Sequence, residues 1–233
     1  MHVIDLRGLL AIAAGSLLWK LVSSVRRLGL TNPVRLQNIN IQMQEYQANH
    51  GTAHRMPPLR MSNLRDDGWA VLNGAVVKAA NTRNLLPFLN HLANEYFAAH
   101  GAYASSVRKV FASLMTIERI LYSSEMFLSD EEKANFQAAF LRLGRHWQLL
   151  RALSAEAHEN LWQITPKVHI AQHFPEQANL INPTATQCYS EESLIGVMTK
   201  IWQAAARGPY DAVIQRKTLN RYWVGLELRM SVF

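Results

Sequence analysis

Apolar residues spaced three and four positions apart dominate the middle of this chain and restrict it to helical folds. Between about residues 103 and 126 the spacing is carried by Val107, Val110, Phe111, Leu114, Ile117, Leu121 and Tyr122. Because an α-helix has 3.6 residues per turn, these side chains share one face of a helix. The pattern predicts that this face is buried.

A second helix of the same type follows. Ser129 with Glu132 three residues later is typical of a capping box, in which each residue satisfies a free N–H group at the start of the helix. The apolar stripe then continues through Phe136, Phe140, Leu143, Trp147 and Leu150. Because only a short connection separates the two stripes, we expect the helices to pack as an antiparallel hairpin.

The rest of the chain shows helix signals and few strand signals. Thr165 followed by Pro166 predicts a helix start, and Pro175 must kink or end that element. Ser190 predicts another start, and a last helix begins near residue 210. Short β-branched runs such as residues 3–4 and 76–77 show no sustained alternation. We therefore expect a mainly α fold, a multi-helical bundle with at most a vestigial strand.

Three regions follow from this pattern. Residues 1–50 are expected to form an N-terminal helical pair, with an apolar first helix over about residues 6–25. Residues 51–73 form a basic loop that contains Gly51, Pro57 and Pro58. Residues 74–233 form a helical body, and whether it packs with residues 1–50 as one domain is left open.

The charge of the chain favours a polyanionic partner. Lys and Arg total 24 against 17 Asp and Glu, a formal net charge of +7. Such a balance points first to nucleic acid and second to an anionic membrane, although it does not determine a fold. Cys188 is the only cysteine, so no internal disulfide forms, and an intracellular location is expected.

The apolar stretch of residues 9–19 is better explained by a core helix than by a membrane. It is shorter than the roughly 20 residues that span a bilayer, and Lys20 ends it. A signal peptide is the alternative, because Ala11 to Ala14 resemble a cleavage sequence. However, Asp5 beside Arg7 leaves the preceding region without net positive charge. We therefore expect a core helix here and favour no membrane partner.

Residues able to carry chemistry are few. His169 and His173 are four apart and could share a metal ion on one helix face, but further ligands are missing from the local sequence, so we expect no metal site. Glu191 and Glu192 suit the first turn of a helix, where they oppose its dipole. Their alternative role is as metal-ligating carboxylates for phosphoryl transfer. The sequence contains no phosphate-binding loop, nucleophile elbow or dinucleotide fingerprint.

Basic residues alternate with aromatic ones on two of the predicted helices. The first helix contains Arg142, Arg145, Trp147 and Arg151, and the last contains Arg216, Lys217, Arg221, Tyr222 and Trp223. Arg216, Lys217 and Arg221 could follow a phosphate backbone while the aromatic residues face inward. The same pattern is explained without a ligand if the basic residues face solvent and the aromatic residues pack in the core.

In the order of its motifs, the chain resembles the C-terminal half of eukaryotic DDE transposases with a ribonuclease H-like core, especially the CACTA-type elements. In that family Met-His follows a catalytic aspartate, and a helical insertion, a Pro-Lys-x-His motif and a helix with the catalytic glutamate come later. The matching residues are Met1-His2, Pro166-Lys167-Val168-His169, and the segment from Asn182-Pro183 to Glu191-Glu192.

The resemblance implies roles for some residues and the loss of others. Glu192, or its neighbour Glu191, would be a vestigial catalytic carboxylate, while Lys167 and His169 would flank the active cleft and Lys167 would contact nucleic acid. The family's first aspartate is absent and its second would precede Met1. Therefore this chain alone cannot hold the paired Mg²⁺ ions, which would bind only if missing sequence supplied the other carboxylates.

Two functional hypotheses follow. The first is a truncated or domesticated transposase remnant, catalytically incomplete, that binds DNA non-specifically and would act in the nucleus. The second is an all-α protein–protein interaction domain with no nucleic-acid role. DNA affinity that falls steeply with salt separates them, because only phosphate neutralisation requires that dependence.

Overall fold

The structure is a computed structural model that describes residues 8–50, 56–73, 79–98 and 100–186. In order along the chain, the α-helices of this part are α1 (Leu9–Ser24), α2 (Asn32–Asn49), α3 (Ala79–Tyr96), α4 (Ala102–Ser123), α5 (Asp130–Glu156), α6 (Pro166–Ala171) and α7 (Phe174–Ala178). The described residues contain no strand, and their single β-type feature is an isolated bridge between Asp66 and Trp69. The predicted mainly α fold is confirmed.

Helix α1 is the centre of the core. From Leu9 to Leu18 every residue is buried, as are Leu21 and Val22. Helices α2, α3 and α4 all pack against it. A helix surrounded in this way must be apolar on all sides, which explains why its sequence shows no amphipathic stripe. Among the described helices, none combines the length and the apolar character that a bilayer crossing needs.

The end of α1 is held by a buried arginine. The Arg35 guanidinium donates hydrogen bonds to the carbonyl oxygens of Val22 (2.8 Å) and Ser23 (3.1 Å), and also to that of Gly29 (2.8 Å). The last carbonyl groups of a helix have no partner within the helix and are costly to bury unsatisfied. Arg35 therefore joins the start of α2 to the end of α1.

Residues 56–73 lie against the core. Met56, Leu59, Leu64, Ala70 and Leu72 are buried. The Leu72 N–H donates to the Ala11 carbonyl oxygen at 2.9 Å, and the Ser16 hydroxyl donates to the Ala70 carbonyl oxygen at 3.4 Å. The segment predicted as a basic loop thus contributes a layer of apolar side chains next to α1.

Gly15 makes this crossing possible. A Cβ atom at Gly15 would overlap the backbone of Val71 and lie 2.6 Å from the backbone nitrogen of Leu72. Only a residue without a side chain lets the two backbones approach this closely.

The predicted α4–α5 hairpin is confirmed. The two helices pack along their lengths, and residues 124–129 connect them. Ser129 and Glu132 form the expected capping box, with the Glu132 N–H donating to the Ser129 hydroxyl at 3.3 Å. The predicted core residues of α5 are all buried, namely Phe136, Phe140, Leu143, Trp147 and Leu150.

One residue of the predicted α4 stripe is not buried. Tyr122 is 37% exposed, because it lies in the last turn of α4, beyond most of the packed interface. The Arg83 guanidinium lies 4.2 Å from the centre of its ring, which covers that side of Tyr122 with a charged group.

Two short helices follow α5. As predicted, Thr165 precedes α6 and Pro166 is its first residue, although the Thr165 side chain makes no capping hydrogen bond. Helix α6 ends at Ala171, and Pro175 lies in the first turn of α7, where its missing N–H group costs nothing. The helices predicted to start at Ser190 and near residue 210 lie outside the described residues.

We expect Gly15→Ala to lower the free energy of unfolding by about 3 kcal/mol, because backbone rather than a flexible side chain occupies the space of the new methyl group. Gly144→Ala is the matched control. Its Cβ would meet no atom within 4 Å, so the better helix former should raise stability by about 0.5 to 1 kcal/mol. Urea unfolding followed by circular dichroism measures both. Equal effects of the two substitutions would contradict the close crossing.

Candidate nucleic-acid interface and a separate acidic groove

Most of the site residues predicted from the sequence lie outside the described part of the chain. These are Glu191, Glu192, Arg216, Lys217 and Arg221. Lys167 is described and is half-buried in the first turn of α6. Its predicted contact with nucleic acid stays a prediction.

Helix α6 packs beside the beginning of α1. Val168, Ala171 and Gln172 line a small cleft with Leu9 of α1, and the other wall comes from Phe140, Leu143, Gly144 and Trp147 of α5. The Pro-Lys-x-His motif therefore lies close to Leu9. In the sequence, Leu9 follows His2 by seven residues.

His169 and His173 do not share a helix, because α6 ends between them. Both are exposed, and their rings are nearly perpendicular with centres 5.2 Å apart. His173 Nδ1 lies 3.3 Å from a carboxylate oxygen of Glu176. Within the described residues, no three His, Cys, Asp or Glu side chains come together as metal ligands.

A cationic face on the α4–α5 hairpin is the most distinct charged surface of the described residues. Its exposed cations are Lys109 on α4 and Arg142 and Arg145 on α5. In the sequence, residues 102–117 and 133–155 contain no Asp or Glu. None of the three cations forms an ion pair with another described residue. Their charges are consequently not neutralised within this part of the protein.

His146 fixes the register of this face. Its Nδ1 atom lies 3.1 Å from the Ser106 hydroxyl of α4. Lys109 follows Ser106 by about one turn of α4. Because the helices are antiparallel, Lys109 lies across from the turn of α5 between Arg142 and His146. The pKa of His146 is lowered, first by partial burial and then by the charges of Lys109, Arg145 and Arg142. The three cations therefore create a common positive potential.

Other arginines of the described part serve the fold. The guanidinium groups of Arg27, Arg65 and Arg151 lie over aromatic rings, at 4.0 Å from the Tyr96 centre, 4.7 Å from Trp19 and 4.7 Å from Trp69. Such cation–π contacts stabilise the pair and cover the apolar ring. Net charge alone therefore overstates how many arginines could meet a partner.

A second surface, the acidic groove, lies between α2 and α3 and has a volume of about 600 Å³. Helix α2 lines it with Gln42, Glu45, Tyr46 and Asn49, followed by His50; helix α3 contributes Phe88, Asn90, His91, Asn94 and Glu95. Among the described residues, no Lys or Arg lines this groove. Its charge is thus opposite to that of the whole chain.

The sequence indicates part of the cationic face but not the acidic groove. Arg142 and Arg145 stood out as basic residues in the predicted hairpin, whereas Lys109 did not. The absence of Asp and Glu from residues 102–117 and 133–155 is the signal that would have found it. The acidic groove has no local signal, because its two walls are separated by more than thirty residues.

Comparisons with protein-family models, with curated proteins and with solved structures found no match for this chain.

The lowered pKa of His146 predicts a pH dependence of stability. The folded state binds fewer protons at His146 than the unfolded chain does. The free energy of unfolding is therefore undiminished above the pKa that His146 has in the unfolded chain. It falls as the pH drops from that value towards the lower pKa of the folded state. We expect His146→Gln to make the stability lost between about pH 8 and pH 5 measurably smaller, with a modest effect because water screens this partly exposed group. Urea unfolding across this pH range measures the difference; an unchanged dependence would contradict it.

Proposed function

We propose that this chain is a transposase-derived, catalytically incomplete helical domain that binds DNA non-specifically through the cationic face of the α4–α5 hairpin. The observation that carries the proposal is the presence of Lys109, Arg142 and Arg145 on one face with no acidic residue in either helical stretch around them. An unneutralised group of cations releases condensed counterions when it meets phosphates, which favours binding.

The composition of this face favours the phosphate backbone over the bases. Sequence is read by side chains that reach base edges, and single strands are held by stacking on aromatic rings. Trp147 lies on the same helix as Arg142 and Arg145 but is buried. The available groups are therefore long cationic side chains, which position a duplex without selecting a sequence.

The transposase origin draws its support from the order of the motifs and from the position of α6. Helix α6, with Lys167 and His169, packs near Leu9. In the family that the chain resembles, the Pro-Lys-x-His motif and the segment after Met-His belong to the same catalytic region. The proximity of α6 to the start of α1 is compatible with that arrangement.

A protein partner is the second candidate, and a specific observation favours it. Leu141 is 68% exposed and Leu149 is 38% exposed on the same helix as Arg142 and Arg145. Apolar residues flanked by cations suit an amphipathic helix whose own apolar stripe is bordered by Asp and Glu. Duplex DNA would not need these leucines, so Leu141→Ala with Leu149→Ala separates the two candidates.

The first test measures duplex DNA binding by fluorescence anisotropy over a range of salt concentrations. The triple variant Lys109→Gln, Arg142→Gln, Arg145→Gln should bind at least about tenfold more weakly at low salt. The slope of log K against log salt should flatten by about 3, because each phosphate contact contributes about 0.9. Arg216→Gln, Lys217→Gln, Arg221→Gln should flatten it further if those residues contact phosphates.

A charge-matched control distinguishes a defined face from net charge. Arg26→Gln, Arg60→Gln, Arg65→Gln removes three exposed charges outside the α4–α5 hairpin and should leave the slope close to that of the wild type. Equal losses in both triple variants would show that only net charge matters. Leu141→Ala with Leu149→Ala should leave DNA affinity unchanged, and no measurable DNA binding by the wild type would favour the protein-partner candidate.

The second test concerns catalysis. We expect the purified chain to show no Mg²⁺- or Mn²⁺-dependent nicking of supercoiled plasmid, because one or two glutamates cannot hold the paired cations that strand cleavage requires. Glu192→Ala and Glu191→Ala should leave DNA affinity unchanged. Metal-dependent nicking that Glu192→Ala abolishes would overturn the incomplete-site proposal.

A further inference from the structure

The acidic groove between α2 and α3 has the wrong charge for DNA. Glu45 and Glu95 stand on opposite walls, and no Lys or Arg of the described residues lines it. Glu45 forms no ion pair with another described residue. Because a cleft concentrates the field of its charges, the two carboxylates favour a cation over a phosphate. The Arg27 guanidinium, which donates to the Glu95 carbonyl oxygen at 3.0 Å, is the nearby positive charge. The charge of the groove therefore suits a different ligand from that of the cationic face.

Hydrogen bonds within the groove engage one N–H of each of two side-chain amides, whose oxygens remain acceptors. The Gln42 amide donates to the Tyr96 hydroxyl at 2.8 Å, and the Asn94 amide donates to the Asn90 carbonyl oxygen at 2.9 Å. His50 Nδ1 lies 2.8 Å from the Tyr46 carbonyl oxygen, so a neutral His50 donates there and keeps Nε2 as an acceptor.

His91 continues the same pattern on the other wall. Its Nε2 atom lies 3.4 Å from a carboxylate oxygen of Glu95, which leaves Nδ1 of a neutral His91 as an acceptor. The Glu45 carboxylate and the Asn94 side-chain oxygen add further acceptors. A ligand rich in N–H donors would complement these acceptors.

The groove also presents a flat aromatic surface. The rings of Tyr46 and His50 are stacked, with centres 4.0 Å apart and an angle of 14° between their planes. The Tyr46 ring centre lies 5.6 Å from that of His91. Planar cations stack on such rings, as the guanidinium of Arg27 does on Tyr96 next to Gln42.

We propose that the acidic groove binds a guanidinium group. A guanidinium has five N–H donors in one plane, a fixed positive charge and a face that stacks on aromatic rings, which matches the acceptors, the carboxylates and the rings described above. An ammonium group has three donors and no planar face, so it matches less well. The volume of about 600 Å³ is within the range of ligand sites and admits either a free guanidinium compound or an arginine side chain of a partner polypeptide.

The experiment titrates the full chain with N-acetyl-arginine methylamide and follows the side-chain amide resonances of Asn90 and Asn94 by NMR. Saturable shifts are expected with the arginine probe. The citrulline analogue, which has the same shape without the charge, should bind at least about tenfold more weakly, as should the lysine analogue. Equal binding of the arginine and citrulline probes, or no saturable shift, would overturn the proposal.

Variants test the carboxylates. Glu45→Gln with Glu95→Gln should weaken the arginine probe at least about tenfold, whereas the charge-matched control Glu125→Gln with Glu156→Gln should leave its affinity unchanged. All four side chains are exposed, so thermal unfolding should show that both variants fold. Unchanged affinity in the groove variant would overturn the proposal.

The two sources of the guanidinium are separated by a second titration with a tetrapeptide that contains one central arginine. Binding at least about tenfold tighter than the single-residue probe assigns the groove to an arginine of a partner polypeptide. Equal affinities assign it to a small guanidinium compound. Failure of the arginine probe leaves the DNA-binding tests unaffected, because they address a different surface.

Discussion

The backbone of residues 70–72 crosses helix α1 directly over Gly15, and the arrangement of the described residues depends on this crossing. Next to it, the Ser16 hydroxyl donates to the Ala70 carbonyl oxygen at 3.4 Å and accepts the Trp162 N–H at 2.8 Å. One buried serine thus joins α1, the crossing segment and the loop after α5. Because α1 is apolar on all sides, these few polar contacts determine where the segments lie on it.

Trp162 transmits this constraint to the hairpin. Its ring is buried edge-on against Trp147 of α5, with centres 5.6 Å apart, and its indole N–H donates to the Tyr103 hydroxyl of α4 at 3.1 Å. Burial raises the pKa of Tyr103 to about 12, so this phenol stays neutral. The φ of Trp162 is +55°, a conformation that costs energy for a bulky residue and that the surrounding contacts must outweigh. The contacts of Trp162 with Trp147 and Tyr103 therefore position the α4–α5 hairpin, which carries the cationic face.

The charged groups of the chain are divided between structural and exposed roles. Arg35 satisfies the carbonyl groups at the end of α1, and Arg27, Arg65 and Arg151 stack on aromatic rings. Lys109, Arg142 and Arg145 remain exposed on one face, while Glu45 and Glu95 line a groove formed by other helices. A formal charge of +7 therefore hides two surfaces of opposite sign. The two surfaces therefore suit two different ligands.

The sequence alone determined the features that depend on neighbouring residues. The α4–α5 hairpin, its capping box at Ser129 and the start of α6 at Pro166 follow from helical periodicity and from backbone groups within one turn. The acid-free stretches around Lys109 and Arg142 are visible there as well. The tertiary structure decided the contacts of Gly15 with Val71 and of Ser16 with Trp162, and the position of Glu45 and Glu95 on opposite walls of a groove. These pairs are far apart in the chain and follow no period, because they depend on how the helices pack against one another.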